Sequence, residues 1–178
     1  MISERVRRIT AEETIDLRHA VLRAGLPRES AVFPGDEAEE THHFGAFDGG
    51  KLVGVASIYV ASLPRESSSY SYSSSSSVDL PPISVTPLPD PRAAADAWQL
   101  RGMATLPEVR GRGIGGALLS AALAGVAAAG APLLWCNARI GAVPFYKKHG
   151  FRVLGGEFDI PTAGPHFRMC IELPRSVG

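Results

Sequence analysis

The chain of 178 residues is short of cysteine, of net charge and of uninterrupted hydrophobic sequence. Its two cysteines, Cys136 and Cys170, cannot build a disulfide framework, and neither has zinc-type spacing to another Cys or a His, so no metal is expected. Lys+Arg number 18 and Asp+Glu number 18. That balance removes the long-range field that draws proteins onto nucleic acid or anionic membranes, and leaves room for a local basic site. The opening sequence, MISERVRRIT, is charged and contains no apolar core of signal-peptide length. The most apolar stretch, residues 114–134, is broken by Gly125, Gly130 and Pro132 and reads as buried helix plus strand, not as a membrane span. A cytoplasmic protein with no nucleic-acid or membrane partner is therefore expected. The length suits one domain, residues 1–178, with a substantial core.

What is present orders itself into alternating elements. Residues 6–9 suggest a short strand, and Thr10-Ala-Glu-Glu13 is a capping box, with helix to Ala24 and a stop at Gly25 and Pro27. Arg18, His19 and Arg23 share a face of that helix and read as solvated, with contact to an acidic substrate as the alternative. An acidic loop over residues 36–40 leads to a strand around His43. Asp48-Gly49-Gly50 gives a tight hairpin, and residues 52–60 return as a strand. Ten of the 16 residues 62–77 are serine and Pro-rich sequence follows, so about 62–96 reads as a disordered insertion. Strands are expected at 98–105 and 133–137, with an Ala/Leu-rich helix between them reaching about Ala129. Pro144 opens a helix over 145–149 that Gly150 ends, and strands near 151–158 and 167–173 complete the chain. The order β-α-β-β-β-α-β-α-β-β is that of an α/β (α+β) protein with a mixed, mostly antiparallel central sheet flanked by helices.

Arg110-Gly-Arg-Gly-Ile-Gly-Gly116 joins a strand to a helix N-terminus, where unpaired amides and the positive helix end converge on an anion. Three ligands compete for such a loop. A dinucleotide needs an acid about 20 residues further on, at the end of the next strand. Here that strand ends in Trp135-Cys136-Asn137, and no Asp or Glu lies between Glu108 and Glu157. A nucleoside-triphosphate loop needs Lys followed by Ser or Thr, and no such pair occurs. Coenzyme A is the third candidate.

The loop resembles the acetyl-CoA loop of the GCN5-related N-acetyltransferases (GNAT), Gln/Arg-x-x-Gly-x-Gly/Ala, in Arg110-Gly-Arg-Gly113-Ile-Gly115. Asn137-Ala-Arg139 at a strand end, followed by Phe145-Tyr146-Lys-Lys-His-Gly150-Phe151, is similar to a second segment of that family. The resemblance runs from Val6 to Leu173 except for the Ser-rich insertion, which departs from the usual short hairpin there. It implies the GNAT-type acyl-CoA N-acyltransferase fold, acetyl-CoA as cosubstrate without a metal, and a small-molecule or peptide amine acceptor, in a monomer or homodimer.

By that resemblance, acetyl-CoA lies where the strands ending at Thr105 and Asn137 part. It is held by Met103, Ala104, Thr105, Arg110, Gly111, Arg112, Gly113, Ile114, Gly115, Gly116, Asn137 and Tyr146. The amine attacks the thioester directly, and Tyr146 is the general acid to the departing thiolate. An unperturbed Tyr of pKa ~10 would protonate a thiolate of pKa ~8.5 uphill by about 2 kcal/mol. Tyr146 must therefore have a lowered pKa or act chiefly as a hydrogen-bond donor. The base carboxylate of some members falls at about Gln99, which cannot take a proton. His43 and His166 are candidate replacements, with Glu157 and Asp159 behind them. A CoA-binding sensor or interaction module of weak catalysis is the alternative function. Cys136 reads as a buried small hydrophobe, and Trp98 and Trp135 as residues packed in or beside the sheet.

Overall fold

A computed structural model of the chain describes residues 6–64 and 87–174. Seven strands form one sheet: β1 (Val6–Ile9), β2 (His42–Asp48), β3 (Lys51–Val60), β4 (Trp98–Thr105), β5 (Leu133–Arg139), β6 (Arg152–Ile160) and β7 (Gly164–Glu172). Their order is β1-β2-β3-β4-β5-β7-β6, and only β4 and β5 run parallel. Four helices accompany them: α1 (Ala11–Leu22), α2 (Pro91–Ala95), α3 (Ile114–Ala128) and α4 (Val143–Lys148). The mixed, mostly antiparallel sheet and the element order agree with the sequence reading. Much of the expected insertion, residues 65–86, lies outside the described residues. At its ends the reading needs correction. Leu63 is buried, and Asp90 caps α2 by accepting from the amides of Arg92 and Ala93, with Ala93 packed inside.

Alternation along β3 distributes the core. Ala56 and Ile58 face the cluster that receives Leu118, Leu119, Ala122 and Val126 of α3. Val55 faces the other way, onto Leu17 of α1. Helices therefore cover both faces, as the period of two in a doubly buried strand requires. The capping box forms as expected. Glu13 N donates to Thr10 Oγ1 at 3.3 Å, and the Thr10 amide donates to Glu13 Oε2 at 2.7 Å.

Arg18 overturns the expectation of a solvated face. It has zero exposure and lies between α1 and the sheet. Its Nη1 donates to Asp36 Oδ2 at 2.8 Å, and its Nη2 donates to Ser57 Oγ at 2.7 Å and Tyr59 Oη at 3.0 Å. Tyr59 Oη in turn donates to Asp36 Oδ1 at 2.5 Å, and the Phe33 amide donates to Asp36 Oδ2 at 2.8 Å. Burial on its own would raise the Asp36 pKa. The bonds from Arg18, Tyr59 and the Phe33 amide outweigh it and hold the carboxyl below its usual value. Burial, reinforced by Asp36, pushes the Tyr59 hydroxyl up to about 12, so it stays a donor.

The network makes a prediction with a definite sign. Asp36→Asn leaves a buried guanidinium without its counter-charge and should cost about 3–5 kcal/mol in urea unfolding. Because the folded pKa of Asp36 is depressed, its stabilisation is complete above the ordinary carboxylate pKa of ~3.9 and fades as pH falls below that range. The variant should accordingly lose less stability than the wild type between about pH 5 and pH 3. Identical acid limbs for the two proteins would contradict this assignment.

Candidate active site

β4 and β5 are paired only over Trp98↔Leu134, Gln99↔Trp135 and Leu100↔Cys136. Beyond that point β5 keeps its pairing to β7 as far as Arg139↔His166, while β4 leaves it. The cause lies in β4. Its partners on β3 jump from Ser57↔Arg101 to Val55↔Ala104, so Gly102 and Met103 oppose a single residue in a bulge. Such a bulge bends a strand and sharpens its twist. Gly102 has φ +60°, and a Cβ there would stand 2.7 Å from Arg18 Nε and 3.0 Å from Phe33 Cε2. Only glycine meets both demands.

The parting opens a cleft on each side of the sheet. One, of about 460 Å³, lies between Met103, Ala104 and Thr105 of β4, the glycine loop, and α4. The other, of about 420 Å³, lies among the start of β4, residues 137–139, the end of α1, Phe33 and His166. Both reach Met103, Ala142 and Tyr146, so two ligands could meet there.

In the first cleft the glycine loop presents a true helix N-terminus. Gly113 is the N-cap residue at φ +82°, with no side-chain cap bond, so the first-turn amides of Ile114, Gly115 and Gly116 are left for a ligand. Gly111, at φ +76°, also lines the cleft. The amides of Arg110 and Arg112 are already used, donating to Pro107 O at 3.2 Å and Val109 O at 3.3 Å. The Arg110 side chain lines the cleft. Arg112 does not: its Nη1 donates to Asp48 Oδ2 at 2.8 Å, on the β2–β3 hairpin. The expected pair of phosphate-facing arginines is thus reduced to one. Lys148 and His149, at i+3 and i+4 from Phe145, also line the cleft and were missed by sequence reasoning. Their helical spacing in Phe145-Tyr-Lys-Lys-His149 was the available signal.

Tyr146 stands where the clefts meet, its Oη 3.6 Å from Met103 Sδ. Burial, reinforced by the neighbouring Cys136 thiol, raises its pKa well above the ordinary value. That direction is opposite to the lowered pKa considered from sequence and favours the hydrogen-bond donor. Burial likewise raises the Cys136 thiol, as suits a core residue and not a nucleophile. Asn137 Oδ1 is buried at the parting with no hydrogen-bond partner among the described residues. A ligand N–H entering the second cleft, which Asn137 lines, would satisfy it.

The two histidines separate. His43 is buried behind the sheet in the Arg18 network, with Nδ1 2.7 Å from Ser57 Oγ and Nε2 2.9 Å from the Asp36 carbonyl. Burial lowers its pKa, both ring nitrogens are engaged, and it lines neither cleft. As a base candidate, His43 fails on position. His166 lines the second cleft, and its Nδ1 lies 2.6 Å from the Gly164 carbonyl. That bond makes Nδ1 the donor and leaves Nε2 as the accepting nitrogen. Gln99 lines the same cleft, whereas Glu157 and Asp159 do not.

Residues 7–151 match the Acetyltransferase (GNAT) family. The chain is similar to the uncharacterized N-acetyltransferase YitI of Bacillus subtilis (strain 168), at 32% identity over 164 residues, covering 92% of this chain and 93% of the relative. Among solved structures it is similar to Escherichia coli ElaA, with TM-score 0.62 and 17% identity over 93% of this chain and 97% of that one. It is also similar to an aminoglycoside 6'-N-acetyltransferase complexed with coenzyme A, with TM-score 0.62 and 15% identity over 96% and 98% of the two chains. The likeness to these structures is one of fold.

The unequal arginines give a direct test. Arg110→Gln should weaken coenzyme A binding about five- to tenfold by titration calorimetry, the discounted worth of an exposed charge-assisted bond. Arg112→Gln should change it less than about twofold, since its partner is Asp48. Equal losses would show that both side chains reach the ligand.

Proposed function

Given that the chain belongs to the acetyltransferase (GNAT) family, we propose that it transfers the acetyl group of acetyl-CoA to a primary amine by direct attack. The observation that carries this reading is the junction of two clefts at Tyr146 and Met103, one floored by the glycine loop and the other open to an acceptor. When bound, acetyl-CoA supplies an activated thioester carbonyl. Its diphosphate would lie on the amides of Gly111 and Gly113 to Gly116 with the Arg110 side chain, and its amide-bearing arm along residues 103–105 and Asn137. The uncapped α3 terminus supports that assignment.

Tyr146 serves the departing sulfur. Its raised pKa makes full proton donation costly, so its part is an O–H hydrogen bond that stabilises developing thiolate charge. The present contact of Oη with a thioether sulfur, Met103 Sδ, marks a polar hydrogen directed at soft, polarisable surroundings. The acceptor must be neutral to attack. At pH 7 a lysine-like amine of pKa ~10.4 pays ~4.6 kcal/mol for that form. His166, which lines the acceptor cleft and has its Nδ1 engaged by the Gly164 carbonyl, is the group we assign to receive the proton.

Release of free coenzyme A from acetyl-CoA over a panel of amines tests the proposal, and binding of coenzyme A without turnover on any amine would favour the sensor. Tyr146→Phe should lower kcat roughly ten- to hundredfold. The affinity for coenzyme A should stay nearly intact, because the phosphate contacts are elsewhere. Unchanged turnover would remove Tyr146 from the chemistry.

A further inference from the structure

The acceptor cleft has a one-sided charge. Arg23 at the end of α1, Arg101 on β4 and Arg139 at the end of β5 line it, and no Asp or Glu does. Among the described residues none of the three has a carboxylate partner. Each instead rests on a main-chain carbonyl: Arg23 Nε on Ser30 O at 3.3 Å, Arg101 Nη1 on Pro34 O at 3.2 Å and Arg139 Nη2 on Leu22 O at 3.4 Å. Arg7, Arg18, Arg28, Arg112 and Arg152 behave differently, each meeting an acid. Aromatic rings further fix two of the cleft guanidiniums. Phe33 lies 5.5 Å from Arg23 and 5.2 Å from Arg101, and Arg101 also stands 4.8 Å over Tyr59.

Three guanidiniums from three elements, tethered by carbonyls and rings but lacking a counter-charge, form a site built for an anion. The phosphates of coenzyme A do not supply it under the reading above, since they belong to the glycine loop on the other side of Tyr146. We infer that the acceptor is a small primary amine carrying a carboxylate, with the carboxylate on Arg101 and Arg139 and the amine directed at Tyr146 and His166. This rests on the acetyl-transfer reading for its amine. Polycationic amines would meet like charge and be rejected.

The test compares β-alanine, propylamine and ethylenediamine, which share a length and differ in whether the far end is anionic, neutral or cationic; glutamate adds a second carboxylate. Initial rates with acetyl-CoA are paired with calorimetric binding of the same amines to the protein saturated with coenzyme A. For the wild type, kcat/KM with β-alanine or glutamate should exceed that with propylamine about tenfold or more, with ethylenediamine lowest. Arg139→Gln, at an exposed residue, and Arg101→Gln should each lose about tenfold with β-alanine and less than about twofold with propylamine. Propylamine or ethylenediamine equalling β-alanine, or equal losses across all amines, would overturn the inference. Selective binding of carboxylate amines without turnover would uphold the charge assignment while refuting acetyl transfer. Turnover without charge preference would do the reverse.

Discussion

A buried guanidinium, that of Arg18, meets a backbone that lacks a side chain, that of Gly102. Arg18 packs its charged group 4.5 Å from the Phe33 ring centroid and bonds to Asp36, Ser57 and Tyr59. Removing such an ion from water costs several kcal/mol, and only a nearly full set of partners offsets it. The set is close to complete, with Nε alone unpartnered among the described residues. Because the guanidinium lies directly beneath β4, the strand passes it only by a bulge with glycine at the close point. The bulge turns β4 from β5, and the parting of those strands opens the two clefts. The interior ion pair thus shapes the cleft without lining its chemistry.

Around that parting the charges are sorted. On one side, helix amides and Arg110 offer a modest, exposed anion site, with Lys148 beside it. On the other, three arginines stand without acids. Between them lie Met103, Ala142 and the buried Tyr146, shared by both clefts. Zero net charge over the whole chain conceals this arrangement entirely.

The parts legible in the sequence were those governed by neighbours in the chain. The Thr10–Glu13 box, the Asp48-Gly49-Gly50 hairpin, the glycine loop and the Pro144 helix start are local devices, and each forms where expected. Local signals also existed for α2, where Asp90 precedes Pro91, but serine-rich composition outweighed them. The rest depended on partners distant in sequence. Arg18 looked solvated because its acid, Asp36, sits in a loop on the far side of a turn. His43 lay on the right strand but faces the Arg18 network, and which face a strand residue occupies depends on what packs there. Arg112 is drawn off by a hairpin aspartate far earlier in the chain. Arg23, Arg101 and Arg139 come together only when α1, β4 and β5 are assembled. Tyr146 lines both clefts, and its position was legible because its motif fixes helix, spacing and strand at once.

The central claim is that the parting of β4 and β5, set by the Gly102 bulge, is where a thioester meets Tyr146. A crystal structure of the protein with acetyl-CoA tests it most directly. The account predicts the diphosphate on the Gly113–Gly116 amides and the thioester sulfur within hydrogen-bonding reach of Tyr146 Oη, with β4 and β5 still unpaired beyond Leu100 and Cys136. A ligand bound outside the parting, or strands that close on one another around an empty site, would contradict it.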